Sequence, residues 1–422
     1  MTRQTTQDLR LVADYHRAVR NEVAIDEQTL AIAGMNPPKF GKIPRPSRWI
    51  GLARYSPDLS RWIQYISLPV WYLAAPLLFR AQRRGLDMSV VKAIRPSNDR
   101  LGYVLGLSSL AMDIVHSRHI TPLPRLWLEL PWIPLESIPL SAELVRAVDL
   151  LCEADLHRVD ALARLAHRAL QRRRGLKGWG LQTYTAWRWF FARIVIDKLP
   201  GPLLTVEHFD RWAVLVDASC WASRSNRPER QLTLMQHGSV NAETPEQTLK
   251  FTLPTRLRAV HRLHVYSPDD EDIFRREILS KNCNRGNIEV TYFRSLIVLL
   301  PIENQDAPSL LIVGHPLCEN AHIALMRELM AVGGVQCFYK PHPTIGASKQ
   351  ISTLPWTVVQ GRTVFPRVDV IVSYPSTIVA QYAAHGIPAV VHSMNNLSVD
   401  ARRLTQEVLR MIEAKERRAI CP

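Results

Sequence analysis

The chain has 422 residues, 47% of them apolar, and a formal charge of +15. That length exceeds one ordinary core, and the apolar share is enough to fill two or three, which excludes a largely disordered chain. Most of the positive excess lies in residues 1–200, a surface suited either to docking something anionic or simply to solubility.

The N-terminus, MTRQTTQDLRLVADYHR, lacks the apolar core of a signal peptide, so a cytoplasmic location is expected. Residues 1–200 show mainly helical patterning and read as a basic accessory region. ISLPVWYLAAPLLF (66–79) is the most apolar stretch, flanked by Arg61, Arg80, Arg83 and Arg84. It is too short to span a bilayer. Pro69 and Pro76 should break or kink a helix there. A buried segment is the first reading and an interfacial membrane segment the second. The clearest helix is expected over 141–174, with Ser141 as N-cap. Leu144, Val148, Leu151, Leu156, Val159, Leu162, Leu165 and Leu170 recur near helical spacing. The main boundary is expected near Pro200.

Strand and helix then alternate, which indicates a parallel sheet with crossover helices. Strands are expected at 202–210, 230–238, 262–267 and 288–293, with helices over 211–225 and 268–279. A second alternating set follows. Its strands are SLLIVGHP (309–316), VQCFYKPHP, TVVQG, VDVIVSYP (368–375) and IPAVVHS (387–393). Its helices cover 319–334, 375–386 and 398–418. The fold expected is α/β, with two doubly wound halves over 201–300 and 301–422 behind a helical region. Ligands of such folds bind beyond the carboxyl ends of the strands, here between the halves.

Three loops at strand ends carry suggestive residues. QHG comprises Gln236, His237 and Gly238. KPHP holds Lys340 and His342 between prolines. SYPST supplies Ser373, Ser376 and Thr377 where a strand meets a helix. A cationic lysine, a hydrogen-bonding histidine, hydroxyls and a helix start together suit a phosphate. The plain alternatives are a packed loop histidine and a serine that merely caps its helix. Glu207, His208 and Asp210 in TVEHFD, and Gly314, His315 and Glu319 in VGHPLCEN, are weaker candidates.

Six scattered cysteines form no C-x-x-C pair, and the fourteen histidines form no H-E-x-x-H. No metal and no cofactor are therefore expected, and the cysteines fit a reducing compartment. Neither a P-loop nor G-x-G-x-x-G is present, so ATP hydrolysis and NAD chemistry lack their usual loops. No nucleic-acid motif accompanies the charge, and a nucleic-acid partner is not expected.

KPHP followed by SYPST, a helix and HGIPAVVH resembles the C-terminal half of bacterial GT-B glycosyltransferases. More narrowly it resembles the surface and capsular polysaccharide group, which includes bacterial sialyltransferases and CDP-glycerol polymerases. The resemblance covers roughly residues 200–395. It implies donor-phosphate binding by His342, Ser376 and Thr377, with Lys340 beside them. TLMQHG resembles a second motif of this group and makes His237 the candidate catalytic base. The function implied is transfer of a sugar or alditol phosphate from a nucleotide-activated donor, of CMP or CDP type before UDP, to a polysaccharide or lipid-linked acceptor. No metal is expected in the reaction. Residues 1–200 would then dock at the inner face of the cell membrane. The Asp/Glu-Asp/Glu-Gly motif of the sialyltransferases is missing. A non-catalytic carbohydrate-assembly or nucleotide-binding scaffold of the same fold is the other reading.

Overall fold

The computed structural model describes residues 3–32, 57–86, 102–108, 111, 126–133, 143–172, 174–238, 243–244, 247–248, 252–285, 288–293, 297–302, 307–342, 346–361, 363–394 and 399–420. The chain forms two compact units. The first comprises residues 1–28, 37–237 and 250–293, and the second 29–36, 238–249 and 294–422.

The first unit is built on seven parallel strands. They are β1 (Tyr103–Gly106), β2 (Leu126–Glu129), β3 (Glu143–Arg146), β4 (Leu203–Thr205), β5 (Leu232–Met235), β6 (Val260–Val265) and β7 (Glu289–Tyr292). Their spatial order is β3-β2-β1-β4-β5-β6-β7. The boundary expected near Pro200 therefore falls inside one sheet, and residues 1–200 are not a separate helical region. Tyr103 and Val104 of β1 pair directly with Leu203 and Leu204 of β4.

The helix expected over 141–174 divides as well. Residues Glu143–Arg146 are the edge strand β3, Ala147–Leu150 form a 3₁₀ turn, and the helix proper is α3 (Glu153–Arg172). Leu144, read as a core position, is 40% exposed, while Val145 is buried. In a strand, adjacent side chains point to opposite faces. Ser141 lies outside the described residues.

Helices α1 (Arg3–Ile32) and α2 (Pro57–Arg84) precede β1. Helix α2 runs through Pro69 and Pro76, against the sequence expectation. Its inward contacts hold it in place. Ala75 and Phe79 are buried, and the Trp71 indole N–H donates to Gly180 O at 2.9 Å. Its other face carries exposed Val70, Leu73 and Leu77, so the stretch is only half buried.

Helix α4 (Ala186–Lys198) is buried along most of its length, with Trp187, Trp189, Phe190 and Phe191 fully buried. Helix α5 (Arg211–Ser223) is capped by Asp210, whose carboxylate accepts from the Trp212 and Ala213 amides. Arg211, 1% exposed, forms an ion pair with Glu22 of α1 and also donates to Gln182 Oε1 at 2.9 Å. Arg193 of α4 meets Asp14 of α1 at 3.1 Å. Charges this deeply buried require paired partners, and they hold α1, as far as Gln28, in the first unit. Helix α6 (Pro268–Ile273) is capped by Ser267 and continues as a π turn over Phe274–Ile278.

The main sheet of the second unit has five parallel strands: β8 (Ser309–Val313), β9 (Gln336–Lys340), β10 (Thr357–Val358), β11 (Val370–Ser373) and β12 (Ala389–Val391). Their order is β10-β9-β8-β11-β12. Every residue of β8 and β11 is buried, as both faces of a parallel sheet require. Helix α7 (Glu319–Val332) follows β8 and stops at Gly333, whose φ of 74° suits glycine. Helix α8 (Thr377–Ala383) follows β11, and α9 (Ala401–Ile420) packs its buried Leu404, Val408 and Ile412 into the sheet's core. Among the described residues, no helix is long and apolar enough to cross a membrane.

Candidate functional site

In the first unit the residues of interest gather at the carboxyl ends of β4 and β5. The His237 backbone N–H donates to His208 Nε2 at 2.8 Å, and the two rings lie 4.2 Å apart. That nitrogen also stands 3.1 Å from Met235 O. An Nε2 that accepts from His237 cannot also donate to Met235, so only the first contact is a hydrogen bond in that tautomer. Burial, reinforced by neighbouring His237, pushes the His208 pKa well below the ordinary histidine value and keeps the ring neutral.

The His237 side chain is half-buried, and its Nδ1 contacts Val206 O. A carbonyl can only accept, so Nδ1 carries the proton, and in the neutral ring Nε2 keeps its lone pair. This tautomer is the one a general base needs. Gly238, at φ 71°, follows His237 in a backbone conformation that favours glycine.

The other candidates here have structural partners. The Gln236 side chain, 1% exposed, accepts from the Tyr266 amide at 2.9 Å and joins the ends of β5 and β6. Asp210 is the cap of α5. Glu207 is buried and accepts from the Ser108 hydroxyl. Burial, with Asp210 adding to it, raises the Glu207 pKa well above the usual carboxylate range, which favours the protonated acid.

In the second unit the candidates gather at the carboxyl ends of β9, β8 and β11. β8 lies between the other two strands, so the KPHP and SYPST loops are separated by the loop that carries His315. His315 bridges them: its ring is 5.2 Å from that of His342 and 5.0 Å from that of Tyr374. His315 Nδ1 accepts from the Leu317 amide at 3.1 Å, which fixes the ring's orientation.

Lys340 is 8% exposed at the end of β9, and its ammonium donates to Pro341 O at 3.3 Å. His342 is half-buried, and its carbonyl accepts from Gly346 N at 2.9 Å. Pro343 lies outside the described residues. Ser373 is fully buried; its hydroxyl donates to Tyr374 O at 2.6 Å and lies 3.0 Å from Ser376 Oγ. Ser376 stands at the N-cap of α8 without a capping side-chain bond, so its hydroxyl is not used as a cap. Ser376 and Thr377 are half-buried. Helix α8 has only seven residues, so the side chains, more than a helix dipole, carry the chemistry of this edge. Glu319 takes a structural place, accepting from the Ser348 amide at 3.3 Å.

Gly314 is required by packing. A Cβ there would lie 2.2 Å from Tyr339 Oη. Sequence spacing also missed a cluster below this edge, in which Cys318, His322 and His392 come together. Seventy residues separate the two histidines, and no local pattern signals the contact.

No family model matches the chain, and no curated protein does. Among solved structures, it is similar to a crystal structure of the GtfA/B complex at 10% identity and a TM-score of 0.30. That match covers 53% of this chain and 53% of the other. It is also similar to the wall teichoic acid polymerase TagF soaked with CDPG, at 10% identity and a TM-score of 0.38, covering 83% and 92% respectively. The chain thus spans about half the length of the first and most of the second. At these scores neither likeness carries an argument about activity.

Proposed function

We propose that the chain is a GT-B-like transferase that moves a sugar or alditol phosphate from a nucleotide-activated donor to a polysaccharide or lipid-linked acceptor. The observation that carries this reading is the His237 ring, turned by Val206 O so that Nε2 keeps its lone pair. His237 Nε2 takes the proton of an acceptor hydroxyl. The oxygen then bonds to the transferred group as the bond to the nucleotide phosphate breaks. The departing phosphate gains negative charge, which the Lys340 ammonium, His342 and the hydroxyls of Ser376 and Thr377 stabilise. No metal is required in that step. The reading favours CDP- or CMP-type donors.

Peripheral docking at an anionic membrane accompanies the activity. It is supported by the exposed stripe Val70, Leu73 and Leu77 on α2, continued by exposed Arg80 and Arg84. Apolar residues at helical spacing, with arginines at one end, suit the interface of an anionic bilayer.

The transfer reading is tested by turnover of donors with His237→Ala. Loss of the base should lower turnover by about 100-fold or more while donor affinity and melting temperature stay near the parent values. A stable variant with parental turnover would remove His237 from the chemistry.

A further inference from the structure

Cys318, His322 and His392 are buried in the second unit at 1%, 0% and 6% exposure. Their ligand atoms, one from each residue, lie within 4.8 Å of one another. Cys318 precedes α7 and His322 stands one turn inside it, so an i, i+4 spacing sets both on one helix face. His392 directly follows β12 and completes the trio from across the sheet.

The His392 ring is already in the metal-binding tautomer. His392 Nδ1 lies 2.8 Å from Ser393 O, and a carbonyl there requires an N–H, which leaves Nε2 with its lone pair. His322 Nδ1 faces Tyr339 Oη at 3.5 Å. The two Nε2 atoms face each other at 3.0 Å. Tetrahedral zinc, with Zn–N of about 2.0–2.1 Å, sets two imidazole nitrogens roughly 3.3 Å apart. The pair therefore needs to open by only a few tenths of an ångström. A backbone carbonyl on the outer nitrogen, as at His392, is a usual support of a metal-binding histidine, and the Tyr339 hydroxyl stands in the same place for His322. One thiolate and two imidazoles select a borderline-soft ion over magnesium or calcium.

We propose that Cys318 Sγ, His322 Nε2 and His392 Nε2 bind one zinc ion, with a fourth position left for a small exogenous ligand such as water. Binding moves the His322 proton from Nε2, where it is shared with His392 Nε2, to Nδ1, which then donates to Tyr339 Oη, and the thiol proton alone leaves to solvent. The ion joins the start of α7 to the end of β12. The Cys318 amide donates to His315 O at 2.8 Å, and the His392 amide donates to Ser373 O at 2.9 Å. Zinc thus stiffens the loops that carry His315 and Ser373. This second role rests on the phosphate-binding reading above; the metal site itself does not.

The test is titration of the chelator-treated full chain with Co²⁺ as a spectroscopic substitute, followed by Zn²⁺ competition. One equivalent is expected, with an intense tetrahedral visible band and a near-ultraviolet thiolate-to-cobalt band, both erased by zinc. Cys318→Ser should remove the thiolate band and weaken binding by roughly tenfold or more. Circular dichroism of metal-free Cys318→Ser checks its fold. If it does not fold, the parent's own thiolate band and stoichiometry decide. Failure to bind one equivalent, or a cobalt spectrum without the thiolate band, overturns the site. No nucleotide is present, so the result is independent of the transferase reading. If the metal binds and zinc removal leaves CDP affinity unchanged, the loop-stiffening role alone is lost.

Discussion

Gly314→Ala tests the packing beneath the candidate phosphate edge. The new methyl carbon would lie 2.2 Å from Tyr339 Oη, 2.4 Å from Cζ and 2.7 Å from Cε1. Ordinary carbon contacts begin near about 3.5 Å, so the ring or the end of β8 must retreat by more than roughly 1 Å. The ring has no space to do so. Tyr339 is 1% exposed, stacks on Trp356 at 4.5 Å and 24°, and meets the His322 ring at 5.9 Å. Overpacking of this kind costs about 1–3 kcal/mol, and the fixed ring argues for the upper end. For a unit of this size, about 3 kcal/mol corresponds to a fall in Tm of roughly 6–12 °C. Scanning calorimetry of the parent and the variant reads it directly. In a Tyr339→Leu background the same alanine should cost much less, because its obstacle is gone. A Gly314→Ala protein that melts within a degree of the parent would show that the Tyr339 ring does not block that position.

Other residues lead to further expectations. Arg211→Met leaves Glu22 buried without its ion-pair partner and should lower stability by about 3–5 kcal/mol, read by urea unfolding. His208 has its pKa depressed in the fold by burial, so the unfolded chain binds the extra proton first. Stability from this group is present above the ordinary histidine value of 6.5 and falls as pH drops below it. His208→Gln should flatten that acid limb of a stability–pH profile, and an unchanged slope would assign it elsewhere. Leu73, 80% exposed on α2, should anchor the chain on anionic vesicles. Leu73→Glu should weaken sedimentation with such vesicles several-fold, and binding unaffected by it would separate α2 from any membrane role.

The strands SLLIV and VIVS were legible in the sequence because parallel strands buried on both faces read as unbroken apolar runs. The end of α7 was legible because Gly333 marks it. The strands YVLG, LWLE and ELVR were not. Each has only four residues, and the spacing of Leu144, Val148 and Leu151 fits a helix as well as it fits a strand followed by a turn. Tertiary contacts from Trp71 and Phe79 outweigh Pro69 and Pro76, which local rules treat as helix breakers. QHG, KPHP and SYPST could be found because they end strands. The Val206 carbonyl that sets the His237 tautomer, and the placing of the candidate His315 between the KPHP and SYPST loops, could not, because both depend on which strands become neighbours. The Cys318, His322 and His392 cluster escaped for the same reason.

The transferase account stands most directly on nucleotide binding by the second unit. Calorimetric titration of CDP, CMP, UDP and GDP into the parent and into His342→Ala measures it. A cytidine nucleotide should bind the parent most tightly, and His342→Ala should weaken that affinity by about 1.5–3 kcal/mol, or roughly 10- to 150-fold, as for a lost hydrogen bond to a charged group. Failure of every nucleotide to bind the folded parent, or an affinity that His342→Ala leaves unchanged, would contradict the account.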